Sequence, residues 1–349
     1  MNNFFQARSS SNRASTNLKE QVEETTPWVE KYRPKSMNDI ASQEQVVNVL
    51  RKSLQSENLP HLLFYGPPGT GKTSAILALA RELYGPSLIS SRVLELNASD
   101  ERGIQIVREK VKNFSRSTAT KSVDGYPCPP YKIVILDEAD AMTKDAQSAL
   151  RRTMETYSKT TRFCIICNYV SRIIEPITSR CAKFRFKPLP LKDLTNRLEY
   201  ICAEENVELG RGTMDALIKT SNGDLRKAIT FLQSASSLHK GAPIKESTIN
   251  ELAGVIPDEA FNTVVKAWQS NIFDDINNAA QTMMNAGYAG ETIVMQIHNA
   301  VMRNEAITTV QKSKISLLLG QTDICLIHGA DDHLQILNLM LGMSSILAE

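Results

Sequence analysis

The segment Gly66-Pro-Pro-Gly-Thr-Gly-Lys-Thr73 matches the pattern G-x-x-x-x-G-K-[ST] in the context that this pattern requires. Residues 61–65 before it predict a short apolar strand, and residues 72–84 after it predict a helix that ends at Gly85-Pro86. In such a loop the glycines let backbone N–H groups surround a phosphate, and the helix N-terminus adds the positive end of its dipole. The stretch therefore predicts a phosphate-binding loop that holds a nucleotide.

The side chains of this loop are candidates for contact with ATP and Mg²⁺. Lys72 is expected to reach the β- and γ-phosphates, and the hydroxyl of Thr73 is expected to bind Mg²⁺. The candidate nucleotide-binding set is the loop with the start of its helix: Gly66, Pro67, Pro68, Gly69, Thr70, Gly71, Lys72, Thr73 and Ser74.

A second motif, Ile133-Val-Ile-Leu-Asp137-Glu138, supplies carboxylates for the same site. Its four apolar residues predict a central parallel strand, and ligands bind at the carboxyl end of such strands. Asp137 is expected to hold Mg²⁺, and Glu138 is expected to orient and deprotonate the attacking water. The letters Asp137-Glu-Ala-Asp140 also match the signature of DEAD-box helicases. The chain has no Ser-Ala-Thr and its second half has a helical pattern, so this match is interpreted as coincidence.

Strand and helix patterns alternate in the first half of the chain. Strands are predicted at 61–65, 92–96, 132–136, 162–167 and 182–186, with helices at 72–84, 104–116 and 145–157. This alternation is typical of a parallel α/β sheet with right-handed crossovers. After residue 190 the pattern predicts helices only. Cys164 and Cys167 form a CxxC, which is interpreted as part of a buried strand rather than a zinc site, because no second ligand pair completes four ligands.

Charge divides the chain into a basic and an acidic part. Residues 27–188 carry 25 Lys and Arg against 16 Asp and Glu, whereas residues 189–349 carry 12 against 19. The basic part is the better candidate for contact with phosphates. No uninterrupted apolar run exceeds six residues, far below the roughly 20 of a membrane-spanning helix.

Seven motifs in a fixed order carry a family resemblance. They are Trp28-Val-Glu-Lys-Tyr-Arg-Pro34, the phosphate-binding loop, Leu96-Asn-Ala-Ser-Asp-Glu-Arg-Gly103, the Asp-Glu-Ala-Asp box, Asn168, Ser179-Arg-Cys181 and Gly223-Asp-Leu-Arg226. Together they resemble the small subunits of replication factor C, the eukaryotic clamp loader among the AAA+ ATPases. The resemblance implies an α/β P-loop AAA+ core with a parallel RecA-like sheet at 27–188, an all-α lid at 189–250 and an all-α C-terminal collar at 251–349. Residues 1–26 are predicted to be a disordered tail.

The same resemblance implies further site residues. Val29 and Arg33 would contact the adenine and the nucleotide. Asn168 and Arg226 would sense the γ-phosphate from the sheet and from the lid, and Arg180 would be an arginine finger that acts on ATP held by the neighbouring subunit.

Basic residues on two predicted helices are candidates for DNA contact. The first helix carries Arg108, Lys112 and Arg116 opposite its apolar stripe, and the next helix carries a similar row with Ser148 in its middle. The candidate DNA-binding set is Arg108, Lys112, Lys144, Arg151 and Arg152. Such rows would contact the phosphate backbone without reading sequence, so binding should weaken with salt. The alternative interpretation is a pair of solvated helix faces.

The resemblance implies four other clamp-loader subunits, the sliding clamp PCNA and primer–template DNA as partners, and the nucleus as the location. Two alternatives remain open at this point. One is a hexameric helicase or branch-migration motor, and the other is a subunit that binds ATP without hydrolysing it.

Overall fold

The computed structural model describes residues 26–348, apart from 41, 56–58, 99–103, 117–122 and 240. The predicted disordered tail, residues 1–26, lies outside the described residues except for Thr26. The chain divides into two compact units, Met1–Val207 with Ser221–Gln233, and Glu208–Thr220 with Ser234–Glu349. Within the described ranges, none of the helices has both the length and the apolar character that crossing a bilayer requires.

Five parallel strands form the sheet of the first unit, in the order β2-β3-β4-β1-β5. Their bounds are β1 His61–Tyr65, β2 Val93–Asn97, β3 Lys132–Asp137, β4 Thr161–Cys167 and β5 Cys181–Arg185. Every pair is parallel, with Leu62 opposite Cys164 and Ile135 opposite Cys164 on its other side. All carboxyl ends therefore meet at one edge, and the loop after β1 opens beside β4, where ligands bind in such sheets.

Helices surround the sheet and continue after it. The described helices up to residue 207 are α1 Trp28–Lys31, α2 Glu44–Gln55, α3 Lys72–Arg92, α4 Ile104–Arg116, α5 Lys144–Thr156, α6 Glu175–Thr178 and α7 Leu191–Glu204. They are followed by α8 Thr213–Ser221, α9 Leu225–Leu238 and α10 Glu246–Leu252.

The central strand β3 is buried on both faces, which explains its uninterrupted apolar sequence. Ile133 and Ile135 pack in one cluster with α3, whereas Val134 and Leu136 pack in a second cluster with α4 and α5. Because side chains alternate along a strand, two helical layers need two apolar sets, and β3 supplies both. Packing on both faces of β3 fixes the position of Asp137, the last residue of the strand.

The predicted fold class is confirmed: a parallel five-stranded sheet is followed, among the described residues, by helices and one isolated bridge between Leu209 and Ile244. The prediction that a helix ends at Gly85-Pro86 is correct only in part. Gly85 leaves the helical conformation with φ 69° and ψ 168°, and a further helical segment then runs to Arg92. Proline fits the first turn of a helix, where its missing N–H has no intrahelical partner, so Pro86 begins this segment rather than ending all helical structure.

The second unit has its own apolar core. Its last five helices are α11 Asp258–Ser270, α12 Phe273–Asn285, α13 Gly290–Arg303, α14 Thr309–Ile327 and α15 Asp332–Ala348. Their buried faces meet around Trp268, Ile297 and Met340. The predicted division at residues 188 and 250 stays a prediction, since the two compact units are bounded at other positions.

Candidate active site

The phosphate-binding loop joins the end of β1 to the start of α3 and needs glycine at two close approaches. A Cβ on Gly66, which has φ 149°, would lie 2.3 Å from the carbonyl oxygen of Phe186. A Cβ on Gly69, which has φ 71°, would lie 2.0 Å from Oδ1 of Asp224. Asp224 Oδ1 accepts hydrogen bonds from the backbone N–H groups of Arg226 and Lys227, so the loop lies against the first turn of α9.

Lys72 is buried at the start of α3 and donates three hydrogen bonds. Its Nζ donates to the carbonyl oxygens of Gly66 and Pro67, each at 2.8 Å, and to Oδ1 of Asn168 at 2.9 Å. Burial lowers the pKa of the Lys72 ammonium, and the nearby carboxylate of Asp137 opposes this shift. The Lys72 ammonium therefore lies within the loop, beside Asn168, the first residue after β4.

Thr73 and Asp137 form the candidate Mg²⁺ site. Thr73 Oγ1 donates a hydrogen bond to Asp137 Oδ2 at 2.6 Å, which joins α3 to the end of β3. A hydroxyl and a carboxylate are the oxygen donors that Mg²⁺ prefers, and Mg²⁺ usually retains waters in place of further protein ligands. The donor set therefore fits Mg²⁺ bound to a nucleotide phosphate.

Glu138 follows Asp137 in a left-handed backbone conformation. Its φ is 52° and its ψ is 38°, and its N–H donates to Asp137 Oδ1 at 2.9 Å. Glutamate rarely adopts this conformation, and such strain is concentrated at functional sites. The turn ends β3 abruptly, and the Glu138 side chain is exposed at the carboxyl edge of the sheet.

The backbone at Asn168 is fixed by the fourth residue of the Asp-Glu-Ala-Asp box. Asp140 Oδ2 accepts hydrogen bonds from the N–H groups of Asn168 and Tyr169, both at 3.2 Å. The carboxylate thus connects the turn after β3 with the turn after β4. The sequence interpretation of this box as a coincidence missed the residue, although its three-residue distance from Asp137 was a usable signal.

A cavity lies beside the phosphate-binding loop and contains several of the predicted residues. Its lining includes Val29, Arg33, Ser74 and Arg226, together with Gly69, Thr70 and Gly71. It also includes residues that sequence reasoning missed: Tyr32, Pro34, Asp39, Ile40, Leu189, Arg197, Leu225 and Ile229. The apolar members come from three separate segments, so no local pattern in the sequence marks them. Pro67 and Pro68 are exposed.

The segment that carries Val29 and Arg33 is held by polar contacts. Glu205 accepts hydrogen bonds from Lys31 Nζ and the Tyr32 hydroxyl, each at 2.6 Å. Arg197 Nη2 donates to the carbonyl oxygen of Tyr32 at 2.6 Å, and the Trp28 N–H donates to Gln233 Oε1 at 3.1 Å. Burial raises the pKa of Tyr32, and Glu205 adds to this shift. Helices α7 and α9 therefore position the segment.

Arg180 is not among the residues that line the cavity beside the phosphate-binding loop. Its Nη2 pairs with Glu155 Oε1 at 2.6 Å, and its Nη1 donates to the carbonyl oxygen of Pro176 at 2.7 Å. Its side chain keeps 36% of its surface exposed. These two contacts connect Arg180 to α5 and to the short helix α6.

The structure brings two of the five DNA-contact candidates together. Lys112 on α4 and Arg152 on α5 line one groove with Ser148, and Asp145 lines the groove as well. Lys144 is exposed in the first turn of α5. The side chain of Arg108 lies outside the described residues. Arg151 instead pairs with Glu155, with 3.1 Å between Nε and Oε1.

Sequence models of known families match three successive parts of the chain. The AAA model, ATPase family associated with various cellular activities, matches residues 62–189. The RCF1/5-like AAA+ ATPase lid domain matches residues 196–237, and the replication factor C C-terminal domain matches residues 256–341.

Curated relatives match almost the whole chain. It is 52% identical over 327 residues to replication factor C subunit 2 of Schizosaccharomyces pombe, which covers 94% of this chain and 96% of the relative. It is 59% identical over 314 residues to replication factor C subunit 4 of Homo sapiens, covering 90% and 86%. The chain belongs to the small-subunit family of replication factor C. Subunit 2 of Saccharomyces cerevisiae is also among its relatives, at 53% identity over 328 residues and 92% and 93% coverage.

Membership in the replication factor C family makes the chain an ATP hydrolase of the AAA+ clamp-loader class. The resemblance to the small subunits of replication factor C that the motifs indicate is confirmed. Among solved structures, the RuvB Holliday junction branch migration motor of Thermotoga maritima matches with a TM-score of 0.50 at 16% identity. That match covers 76% of this chain and 91% of RuvB, and at this identity it shows a shared fold alone.

Proposed function

We propose that this chain is an ATPase subunit of a heteropentameric clamp loader, which opens the sliding clamp PCNA and loads it onto primer–template DNA in the nucleus. ATP binding creates the state that binds clamp and DNA, and contact with DNA triggers hydrolysis and release of the closed clamp. The observation that carries the proposal is the match to replication factor C subunits over at least 90% of the chain, together with the replication factor C C-terminal domain at residues 256–341.

The residues at the sheet edge suit ATP hydrolysis. Lys72 binds the β- and γ-phosphates, Asn168 contacts the γ-phosphate, and Glu138 orients the attacking water and takes its proton. Thr73 and Asp137 would hold Mg²⁺, which would neutralise charge on the phosphates when bound. Arg226 lines the cavity beside the phosphate-binding loop from the helix α9. It adds a positive charge that responds to the presence of the γ-phosphate.

Arg180 suits a site that two subunits share. Arg180 is partly exposed, and its contacts with Glu155 and the Pro176 carbonyl oxygen leave guanidinium donors for a phosphate of another chain. We assign it to the ATP of the neighbouring subunit, where a finger of this kind contributes about 10³- to 10⁵-fold to kcat in related phosphoryl-transfer systems.

An apolar row on the second unit suits assembly with other subunits. Val310, Leu317 and Ile324 recur every seven residues along α14, and each has more than half of its surface exposed. Apolar side chains in a heptad row are typical of helix–helix contacts. This unit lies in the acidic part of the chain, which suits subunit contacts better than DNA, whereas the groove of Lys112 and Arg152 suits a phosphate backbone.

The experiment is ATP turnover by the reconstituted complex, with and without clamp and primed DNA, for the wild type and Arg180→Ala. We expect clamp and primed DNA together to stimulate the wild type. The variant complex should lose a large share of that rate, although its own phosphate-binding loop still binds ATP. Turnover that responds to any DNA and ignores the clamp, in a hexamer rather than a pentamer, would instead establish a motor.

A further inference from the structure

One carboxylate oxygen joins two arginines on the surface of the first unit. Glu155 Oε1 lies 2.6 Å from Nη2 of Arg180 and 3.1 Å from Nε of Arg151. Arg151 and Glu155 are one turn apart on α5, whereas Arg180 comes from the segment between α6 and β5. A single acid therefore connects the candidate finger to the helix that carries the candidate DNA contacts.

Glu155 lies at a helix end where a negative charge is electrostatically unfavourable. Glu155 lies in the last turn of α5, where the unsatisfied carbonyl groups give the helix end a partial negative charge. That turn carries no basic residue of its own. The hydrogen bond from Arg151 and the charge of Arg180 lower the pKa of Glu155 and keep it ionised. The negative charge of Glu155 is therefore stabilised by Arg151 on the same helix and by Arg180 from another segment, and not by the helix end.

The contacts of Arg180 hold its guanidinium from one side. Nη2 is paired with Glu155 and Nη1 donates to the carbonyl oxygen of Pro176 at 2.7 Å. A guanidinium carries five N–H donors in a fixed plane, so two contacts orient the plane and leave donors for another acceptor. With 36% of the Arg180 side chain exposed, those donors are available to phosphate oxygens of another chain.

The other partner of Glu155 belongs to the DNA-contact candidates. Arg151 precedes Arg152, which lines the groove with Lys112. A phosphate that pairs with Arg151 would compete with Glu155 for its charge, and Arg151 has the longer of the two contacts with Glu155 Oε1, 3.1 Å against 2.6 Å for Arg180. Glu155 would then pair with Arg180 alone.

We propose that Glu155 is a positioning residue that orients the Arg180 guanidinium toward the nucleotide of the neighbouring subunit, and that DNA contact at Arg151 strengthens the pairing of Glu155 with Arg180. The inference rests on the proposed function, in which Arg180 acts on the neighbour. It adds the residue through which DNA on α5 controls that action. Glu155 touches neither nucleotide nor DNA in this scheme.

The first test measures turnover of the reconstituted complex with saturating clamp and primed DNA. Glu155→Gln keeps an oxygen acceptor and removes the charge, whereas Glu155→Ala removes both. We expect kcat to fall about three- to tenfold for Gln and further for Ala, with KM for ATP unchanged, because exposed ion pairs have modest effects. Glu199→Gln, an exposed carboxylate on α7, is the matched control and should keep the wild-type rate.

A double variant separates positioning from a structural role. If Glu155 acts through Arg180, Glu155→Gln should add nothing to Arg180→Ala, and the melting temperatures should stay close to that of the wild type. If Glu155→Gln lowers the turnover rate of Arg180→Ala by the same factor as it lowers that of the wild type, the inference is overturned. A loss with Arg180→Ala but none with either Glu155 variant would overturn the inference and leave the proposed function standing. No loss with Arg180→Ala would overturn the proposed function, and the inference with it.

The proposed effect of DNA contact at Arg151 is tested by Arg151→Gln. After this change Glu155 pairs with Arg180 alone, with or without DNA. We therefore expect a higher rate of ATP turnover without DNA, and a smaller ratio of DNA-stimulated to unstimulated turnover at saturating DNA. Lys159→Gln, an exposed basic residue just beyond α5, is the control and should keep the wild-type ratio. A wild-type ratio for Arg151→Gln, with only a higher DNA concentration needed for stimulation, would overturn the coupling.

Discussion

Asp140 accepts a hydrogen bond from the backbone N–H of Asn168 at 3.2 Å, which connects the turns after the two central strands β3 and β4. The N–H of Tyr169 donates to the same oxygen at the same distance. Asn168 in turn accepts a hydrogen bond from Lys72. The acid that ends the Asp-Glu-Ala-Asp box therefore positions the residue that we expect to contact the γ-phosphate.

Asp140→Ala should lower kcat about tenfold with a smaller effect on ATP affinity, because two backbone donors lose a charged acceptor. Asp140→Asn keeps an oxygen acceptor and should retain most of the rate. Turnover of the complex and the Kd of a fluorescent ATP analogue separate the two quantities. Equal losses for the two variants would show that charge, rather than the hydrogen bonds, is what matters.

Gly66→Ala should destabilise the protein by about 2 to 3 kcal/mol, because the new Cβ would meet the Phe186 carbonyl at 2.3 Å in a conformation that alanine avoids. Gly320→Ala is the matched control. Gly320 lies inside α14 with no atom within 4 Å of an added Cβ, so this change should stabilise the protein by about 0.5 to 1 kcal/mol. Urea unfolding measures both, and a neutral Gly66→Ala would contradict the close approach.

The stability of the first unit should fall as pH drops from about 6.5 to 4, in part because of His61. Burial lowers the pKa of His61 to about 4, and Arg162 adds to this shift. Its Nδ1 accepts a hydrogen bond from the Phe163 N–H at 3.1 Å, which requires the ring nitrogen to be unprotonated. Below pH 6.5 the unfolded chain binds a proton that the folded chain does not, so folding loses stability as pH falls.

We expect this effect to be about 1 to 2 kcal/mol at pH 5, the lower value reflecting solvent screening at the exposed edge of the ring. His61→Gln removes the titrating group and should flatten the pH dependence by that amount. The measurement is the difference in unfolding free energy between pH 7.5 and pH 5 for both proteins. Parallel pH profiles would show that His61 titrates normally.

Lys112→Ala and Arg152→Ala should each reduce the salt dependence of DNA binding by the complex. Each phosphate contact contributes about 0.9 to the slope of log K against log salt concentration for duplex DNA. The loss should be the same for different DNA sequences, because backbone contacts do not read bases. Lys266→Ala on α11 is the control and should keep the wild-type slope. Unchanged slopes for both groove variants would favour the alternative of solvated helix faces.

Much of the core was predictable because its signals are local. The glycine pattern, the apolar run of β3 and the acids at its end depend on residues that are adjacent in the chain, and the structure has them in the strand–loop–helix order that the sequence predicts. Periodicity likewise predicted α5 to within one residue at each end, because a buried stripe repeats every three to four residues. The helical segment after Gly85 was missed because proline was taken as a stop rather than a start.

The contacts that make the site specific were not predictable, because they join distant segments. Gln147 is almost fully buried on α5, its Nε2 donates to the Met142 and Arg172 carbonyl oxygens, and its Oε1 accepts from the Ile174 N–H. Nothing in the local sequence distinguishes this glutamine from a surface one. Glu205 holds the segment of Tyr32 from a position 173 residues away.

Adjacent residues were enough to predict the nucleotide-binding chemistry, since backbone conformation and ligand type at a phosphate-binding loop follow from them. The partner of each arginine, in contrast, follows from the packing of segments that are distant in the chain. In the sequence Arg151, Arg152 and Arg180 are equivalent cations, but packing places Arg152 on the groove and Arg151 and Arg180 on one carboxylate. A charge acts over a few ångströms, so its role is set by what the fold places within that distance.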